Sequence, residues 1–93
     1  MRELKLEEFS GVVGEAFTVE TEAGPVTFEL TAVQPLSLSL YREEAFRLEW
    51  TGPREPLLPQ AIYRMSRDGQ DYEIFFVPIA QDQNSTRYEA IFN

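Results

Sequence analysis

The sequence predicts a small antiparallel all-β domain of six strands, arranged as a barrel or a sandwich, with one short N-terminal helix. Three observations support this fold class. Apolar and polar side chains alternate over several short runs. Turn residues separate those runs at close spacing. The 93 residues are enough for one hydrophobic core and too few for two, so we expect residues 1–93 to form a single domain.

The segment from Leu6 to Val13 is the helical candidate. Leu6, Phe9 and Val13 recur at helical spacing, and Gly14 is placed to end the helix. An isolated helix of this length is only marginally stable in water. We therefore expect it to plug one end of the barrel or to cover a face of the sheet.

The first two strands are predicted to form a hairpin around Ala23-Gly24. Alternation places Phe17, Val19 and Thr21 on one face of the first strand, and Val26, Phe28, Leu30 and Ala32 on one face of the second. A two-residue loop would bring these faces to the same side of the sheet. The expected register pairs Thr21 with Val26, Val19 with Phe28 and Phe17 with Leu30.

Alternation also predicts the third and the last strand. Their apolar positions are Phe46, Leu48 and Trp50, and Tyr88, Ala90 and Phe92. Before the third strand, Leu36, Leu38 and Leu40 alternate with serines. Pro35 cannot donate to a central ladder, so that stretch is either an edge extension or a loop. Three prolines between Gly52 and Pro59 predict an extended connector.

Asp68-Gly69 predicts the clearest hairpin of the chain. This pair readily takes the two positive φ angles of a type I′ turn. The outer face then has Arg64 opposite Glu73, and these opposite charges agree with the apolar match on the inner face. The inner pairs of the expected register are Met65 with Tyr72, Tyr63 with Ile74 and Ala61 with Phe76.

The same register predicts an apolar patch on the outer face of the sheet. Ile62 would lie opposite Phe75, and contiguous exposed apolar surface often marks an interface. The alternative is that the N-terminal helix or the proline-rich connector covers the patch. We interpret six residues as a candidate interface with a protein partner or a second copy of the chain: Ile62, Arg64, Glu73, Phe75, Val77 and Ile91.

The residue types present exclude most catalytic chemistry. Without histidine or cysteine, the chain lacks Ser-His-Asp and Cys-His arrangements and the usual zinc ligand sets, so we identify no catalytic, cofactor-binding or metal-binding residue. Gly11-Val12-Val13-Gly14 lacks the preceding strand and the lysine of a phosphate loop. Asp82-Gln83-Asn84 lacks the glycine and distal glutamate of a calcium loop, so an ordinary hairpin loop is predicted there.

Sixteen acidic and eight basic residues give the chain a net charge of −8. Because this charge opposes binding to phosphate backbones and anionic membranes, neither nucleic acid nor a membrane is an expected partner.

No stretch of the sequence approaches the about 20 apolar residues that span a bilayer, and the first residues do not lead into a signal-peptide pattern. A cytoplasmic location is the simplest expectation. With no cysteine, stability must come from packing.

Short motifs are distributed along the chain: Leu6-Glu7-Glu8-Phe9, Gly52-Pro53-Arg54, Leu58-Pro59-Gln60, Tyr63-Arg64, Phe75-Phe76-Val77-Pro78 and the ending Arg87-Tyr88-Glu89-Ala90-Ile91-Phe92-Asn93. With these motifs the chain resembles a bacterial family of small domains of unknown function. The resemblance runs nearly end to end and implies no catalytic residue. It implies an association with phage-tail-collar-like proteins, because the family is sometimes found near their genes.

Two positions depart from the pattern of that family. Lys5 stands where threonine is usual, which removes a capping box with Glu8. Ala61 stands where glycine is usual, so a positive φ is not expected there. Neither departure threatens the fold.

Three functions remain open, in order of preference. The first is a non-catalytic interaction or assembly module, indicated by the missing catalytic groups, the outer apolar patch and the family's gene neighbourhood. The second is a small-ligand carrier, although a narrow six-stranded interior should be filled by Phe17, Phe28, Trp50, Tyr63 and Phe76. The third is an enzyme that uses two carboxylates facing each other across a cleft, one with a strongly perturbed pKa.

Overall fold

The computed structural model describes residues 3–36 and 45–93 of the chain. Within them the strands close into an antiparallel barrel in the order β1-β2-β3-β6-β5-β4. The six-stranded all-β prediction is confirmed, and the architecture is a barrel rather than a sandwich. The elements are α1 (Glu7–Ser10), β1 (Ala16–Thr21), β2 (Gly24–Leu36), β3 (Ala45–Pro53), β4 (Ala61–Arg67), β5 (Gln70–Gln81) and β6 (Ser85–Phe92).

The β4–β5 hairpin has the register that its turn residues predict. Asp68 and Gly69 have φ values of 51° and 76°, as a type I′ turn requires. Arg64 lies opposite Glu73 on the outer face. All three expected inner pairs form: Met65 with Tyr72, Tyr63 with Ile74 and Ala61 with Phe76.

The predicted register of the β1–β2 hairpin is wrong by two residues. The observed pairs are Thr21 with Gly24, Val19 with Val26 and Phe17 with Phe28. A two-residue loop closes on a hydrogen-bonded pair. In the expected hairpin, Pro25 would have been one residue of that closing pair, and it has no N–H to donate. The inner face is preserved because a shift of two residues keeps the alternation.

The Thr21 side chain stabilises the observed hairpin turn. Its Oγ1 donates to the Gly24 carbonyl oxygen at 2.6 Å and accepts the Ala23 N–H at 3.1 Å. Gly24 has a φ of 112°, which favours glycine at this position. The turn is therefore specified by local hydrogen bonds that alternation does not reveal.

A bulge in β2 overturns the predicted orientation of Ala32. The register shifts between Leu30, which pairs with Trp50, and Ala32, which pairs with Glu49. The extra residue, Thr31, donates its hydroxyl to the Glu49 carbonyl oxygen at 3.1 Å. Ala32 consequently lies on the outer face with Glu49, since an inserted residue reverses the side of those that follow.

The end of β2 is an extension that pairs with β3. Pro35 lies opposite Phe46, and Leu36 lies opposite Ala45. On its other edge, β2 pairs with β1 only as far as Glu29. This geometry tolerates Pro35 and confirms the edge-extension alternative for Leu36. Leu38 and Leu40 lie outside the described residues.

The N-terminal helix is shorter than predicted. It ends at Ser10, with Gly11 rather than Gly14 after it, and Val13 is half exposed. Glu8 accepts the Lys5 N–H at 2.8 Å, so the carboxylate half of a capping box forms although Lys5 cannot supply the hydroxyl half. Ala61 is not among the described residues with a positive φ, in agreement with prediction.

Phe9 confirms that the helix plugs one end of the barrel. Its side chain is fully buried. Its ring centroid lies 5.3 Å from that of Tyr72 and 6.4 Å from those of Phe17 and Trp50. The helix is thus held by one aromatic anchor on the barrel interior rather than by its own length.

A second aromatic group fills the opposite end of the barrel. Phe28 stacks on Tyr88 at 4.6 Å, and Phe76 meets Tyr88 edge-on at 5.2 Å. Leu58 of the proline-rich connector is also buried in the core. Phe17, Phe28, Trp50 and Phe76 are interior residues as predicted, whereas Tyr63 is only half-buried at the edge of this group.

Phe9→Ala should destabilise the protein by about 3–5 kcal/mol, because it removes a buried aromatic ring and leaves a cavity. Val13→Ala, at the exposed end of the same segment, should change the free energy of unfolding by less than about 0.5 kcal/mol. Urea denaturation measures both. Equal losses in the two variants would contradict the assignment of Phe9 as the anchor.

Gly52→Ala should cost about 1–3 kcal/mol of stability through overpacking. A Cβ at Gly52 would lie 2.5 Å from a ring atom of Phe28, which is held between Tyr88 and Phe76. Gly11→Ala is the matched control, since no atom lies within 4 Å of the Cβ it would add. A Gly52→Ala protein with the denaturation midpoint of the wild type would refute the close approach.

Candidate functional site

The outer patch, defined by the six predicted interface residues, lies on β4, β5 and β6. Ile62, Phe75 and Ile91 are 56%, 52% and 46% exposed, which is unusual for side chains of this size. Arg64 and Glu73 are exposed beside them, and Val77 is half-buried; all six face outward. The six residues are Ile62, Arg64, Glu73, Phe75, Val77 and Ile91.

Strand pairing brings two of the three apolar side chains together. Ile62 lies directly opposite Phe75. Val77 lies opposite Glu89 at the end of the β5–β6 ladder, and Phe75 and Ile91 follow two residues beyond that pair on their strands. The exposed apolar side chains therefore lie on three neighbouring strands, with Ile62 and Phe75 as a direct cross-strand pair.

A network of charged residues borders one side of the outer patch. Arg47 pairs with Ile91 across the β3–β6 ladder. Its guanidinium binds Glu89 at 2.5 Å and Glu49 at 2.8 Å, and it donates to the Gln34 side chain at 2.9 Å. The hydrogen bonds to Glu89 and Glu49 raise the pKa of Arg47. The charges of this border are therefore already paired.

The other charged residues of the outer patch form no ion pair within the described part of the chain. Arg64 and Glu73 lie opposite each other, yet none of the ion pairs between described residues includes either. Both side chains are exposed. They are thus able to pair with charges on another molecule.

In the described part of the chain, neither the N-terminal helix nor the proline-rich connector covers the outer patch. The helix directs Phe9 into one end of the barrel, and the connector directs Leu58 into the core. Phe9 and Leu58 thus lie in the interior, whereas Val13 and Leu57 of the same segments are exposed. The exposure of Ile62 and Phe75 follows from this arrangement.

Sequence reasoning missed Ile79. This residue is 42% exposed and follows Val77 in β5 by two positions, at a second bulge between Pro78 and Ala80. Ile79 continues the alternation of Phe75 and Val77 along β5. Alternation in the sequence therefore predicts that it lies on their outer face.

A groove lies where β1 and β4 separate. The two strands pair only at Thr18–Ser66 and Val19–Met65. Beyond these pairs, Thr21 and Tyr63 line a cavity of about 660 Å³ together with Glu20, Glu22 and Ala23 on one side and Pro56, Leu58 and Pro59 of the connector. We call this cavity the seam groove.

Hydrogen bonds hold the connector wall of the seam groove in place. The Leu58 N–H donates to the Tyr88 hydroxyl at 3.0 Å in a buried contact. The Tyr63 hydroxyl donates to the Pro59 carbonyl oxygen at 2.6 Å, and its ring stacks on Phe76 at 4.5 Å. Burial, with the nearby Tyr88, raises the pKa of Tyr63, so the donor is retained through the neutral range.

The loop between β5 and β6 is an ordinary hairpin loop, as predicted. The Asp82 carboxylate accepts the N–H groups of Asn84 and Ser85, each at 2.8 Å. These hydrogen bonds lower the pKa of Asp82. Among residues 3–36 and 45–93, no group of acidic side chains is arranged to hold a metal ion.

The same described residues contain no helix with the length and apolar character needed to cross a membrane.

Tyr88→Phe should destabilise the protein by about 1–3 kcal/mol, because it leaves the buried Leu58 N–H without an acceptor. Tyr63→Phe should cost less than about 1 kcal/mol, because the freed Pro59 carbonyl can bind water. Thermal and urea unfolding of the two variants test this order. The reverse order would show that Tyr63, not Tyr88, holds the connector.

Comparison with known proteins identifies a family but not an activity. No curated protein and no solved structure matches the chain. The model of one family, described as a domain of unknown function (DUF6916), matches residues 4–92. That match covers nearly the whole barrel, from the residues before the helix to the end of β6. The chain therefore belongs to the DUF6916 family.

Proposed function

We propose that this protein is a non-catalytic interaction module that assembles with other proteins through the outer patch. The observation that supports this function best is the row of exposed Ile62, Phe75 and Ile91 across three neighbouring strands. Burying such side chains against a partner is favourable by about 25 cal/mol per Å² of apolar surface removed from water.

The composition of the outer patch is that of a docking surface. Aromatic and aliphatic side chains lie at its centre, and charged side chains lie around them, as at protein interfaces in general. Arg47 is already paired, which favours a fixed border. Arg64 and Glu73 have no ion pair in the described chain, which favours charge pairing with a partner.

The closed barrel supports docking by side chains rather than by strand addition at this face. At the outer patch, Ile62 and Arg64 of β4 pair with Phe75 and Glu73 of β5, and Ile91 of β6 pairs with Arg47 of β3. A partner that covers these side chains therefore meets the face of paired strands. The net charge of −8 further favours a protein partner over nucleic acid.

The filled interior favours this function over a small-ligand carrier. A carrier barrel needs interior space, and here aromatic rings from both ends occupy it, including Trp50 and Tyr88, which are fully buried.

An enzyme that uses two carboxylates is less well supported than the interaction module. Glu20 and Glu22 line one cavity, but both belong to the same wall instead of facing each other.

We propose structural proteins of phage-tail-like assemblies as the partners. The family resemblance supports this choice through its gene neighbourhood. A small, acidic barrel with one apolar face is suited to such a role, because an assembly subunit needs a rigid body and one docking surface.

Phe75→Glu should abolish assembly, because it places a charge at the centre of the apolar row. The loss of a central aromatic residue typically weakens binding by about 2 kcal/mol or more, roughly thirtyfold. Size exclusion with light scattering on the purified chain, and pull-down with structural proteins of phage-tail-like assemblies, measure self-assembly and partner capture.

Thr27→Glu is the control, since Thr27 is exposed on β2 away from the outer patch. It should leave assembly unchanged. The proposal fails if the wild type is a strict monomer that captures none of these proteins, or if the two variants lose assembly equally.

A further inference from the structure

The seam groove has the dimensions and the position of a ligand site. Its volume of about 660 Å³ lies within the range of roughly 300–1,000 Å³ that is typical of binding cavities. It lies between the β1–β2 turn and the connector, on elements that do not contribute to the outer patch except for β4.

The groove is formed before any ligand binds. On one wall, the Thr21 hydroxyl holds the turn through Gly24 and Ala23. On the other, Tyr63 is stacked on Phe76 and bonded to Pro59. Preformed walls reduce the ordering cost of binding.

The separation of the strands indicates an extended ligand. The register of Thr18 with Ser66 and Val19 with Met65 would set Thr21 opposite Tyr63 if it continued. The pairing stops instead, and both residues line the groove. Strands that part in this way offer main-chain edges of the kind that extended peptides use in strand addition.

The charge of the lining indicates a cationic ligand. Glu20 and Glu22 line the groove, and no basic residue does so among the described residues. Neither glutamate takes part in an ion pair within that part of the chain. The apolar part of the lining comes from Leu58, Tyr63 and the connector prolines. A ligand that fits both features carries aliphatic side chains next to basic ones.

We propose that the seam groove binds an extended basic peptide segment of a partner protein. Aliphatic side chains of the segment pack on Tyr63 and Leu58, and its lysine or arginine side chains pair with Glu20 and Glu22. This site is separate from the outer patch, so a partner could use either one without the other.

The test is an NMR titration of the ¹⁵N-labelled chain with the capped peptide Val-Lys-Val-Lys-Val. The backbone signals of Thr21, Ala23 and Tyr63 should shift, while those of Phe75 and Ile91 should not. Added salt should weaken binding, because the ion pairs are exposed to solvent. The capped peptide Val-Gln-Val-Gln-Val is the matched neutral probe and should bind more weakly.

The double variant Glu20→Gln/Glu22→Gln should weaken binding of the lysine peptide by roughly two- to thirtyfold, as expected for two exposed ion pairs. Glu29→Gln, at an exposed outward position of β2, should not change it. Phe75→Glu should bind the peptide as the wild type does, so failure at the outer patch and failure at the groove are distinguishable.

Three results would overturn the proposal. The first is no shift at millimolar lysine peptide. The second is equal affinity for the lysine and glutamine peptides. The third is an equally strong effect of n-butylamine alone, which would assign the groove to small cations instead of a peptide.

Discussion

Aromatic side chains fill the barrel from both ends, and the closure of the six strands depends on them. Phe9, Phe17 and Trp50 pack at the helix end, while Phe28, Phe76 and Tyr88 pack at the connector end. With no cysteine in the chain, burial of these rings supplies the cohesion that a disulfide gives to other small domains. The Trp50 Nε1 is buried without a hydrogen-bond partner among the described residues, so packing here prevails over the satisfaction of a polar group.

The filled interior determines what the surface can do. Since Phe9 of the helix and Leu58 of the connector are buried in the core, the described parts of these segments leave Ile62, Phe75 and Ile91 exposed. The barrel is also closed by only two residue pairs between β1 and β4, and the seam groove opens beside them. Both candidate sites therefore follow from the way the chain fills and closes the barrel interior.

The outer patch was predictable from the sequence to the extent that it follows from one hairpin. The Asp68-Gly69 turn sets the β4–β5 register, so Ile62 opposite Phe75 could be derived from local residues alone. The place of Ile91 depends on the β3–β6 ladder, in which it pairs with Arg47, and so does the charged border around Arg47. The seam groove escaped prediction entirely, because it is bounded by segments about 40 residues apart in sequence, such as Thr21 and Tyr63.

By itself, the sequence determined the all-β class, the interior faces of most strands and the register of β4 with β5. These features depend on alternation and turn chemistry, which act over a few residues. Alternation reports only which face a residue takes, so it left the β1–β2 register ambiguous by two residues, and it did not reveal the bulge at Thr31. Closure into a barrel, the plugging of its ends and the separation of β1 from β4 were decided by tertiary structure, because they depend on how distant segments share one small interior.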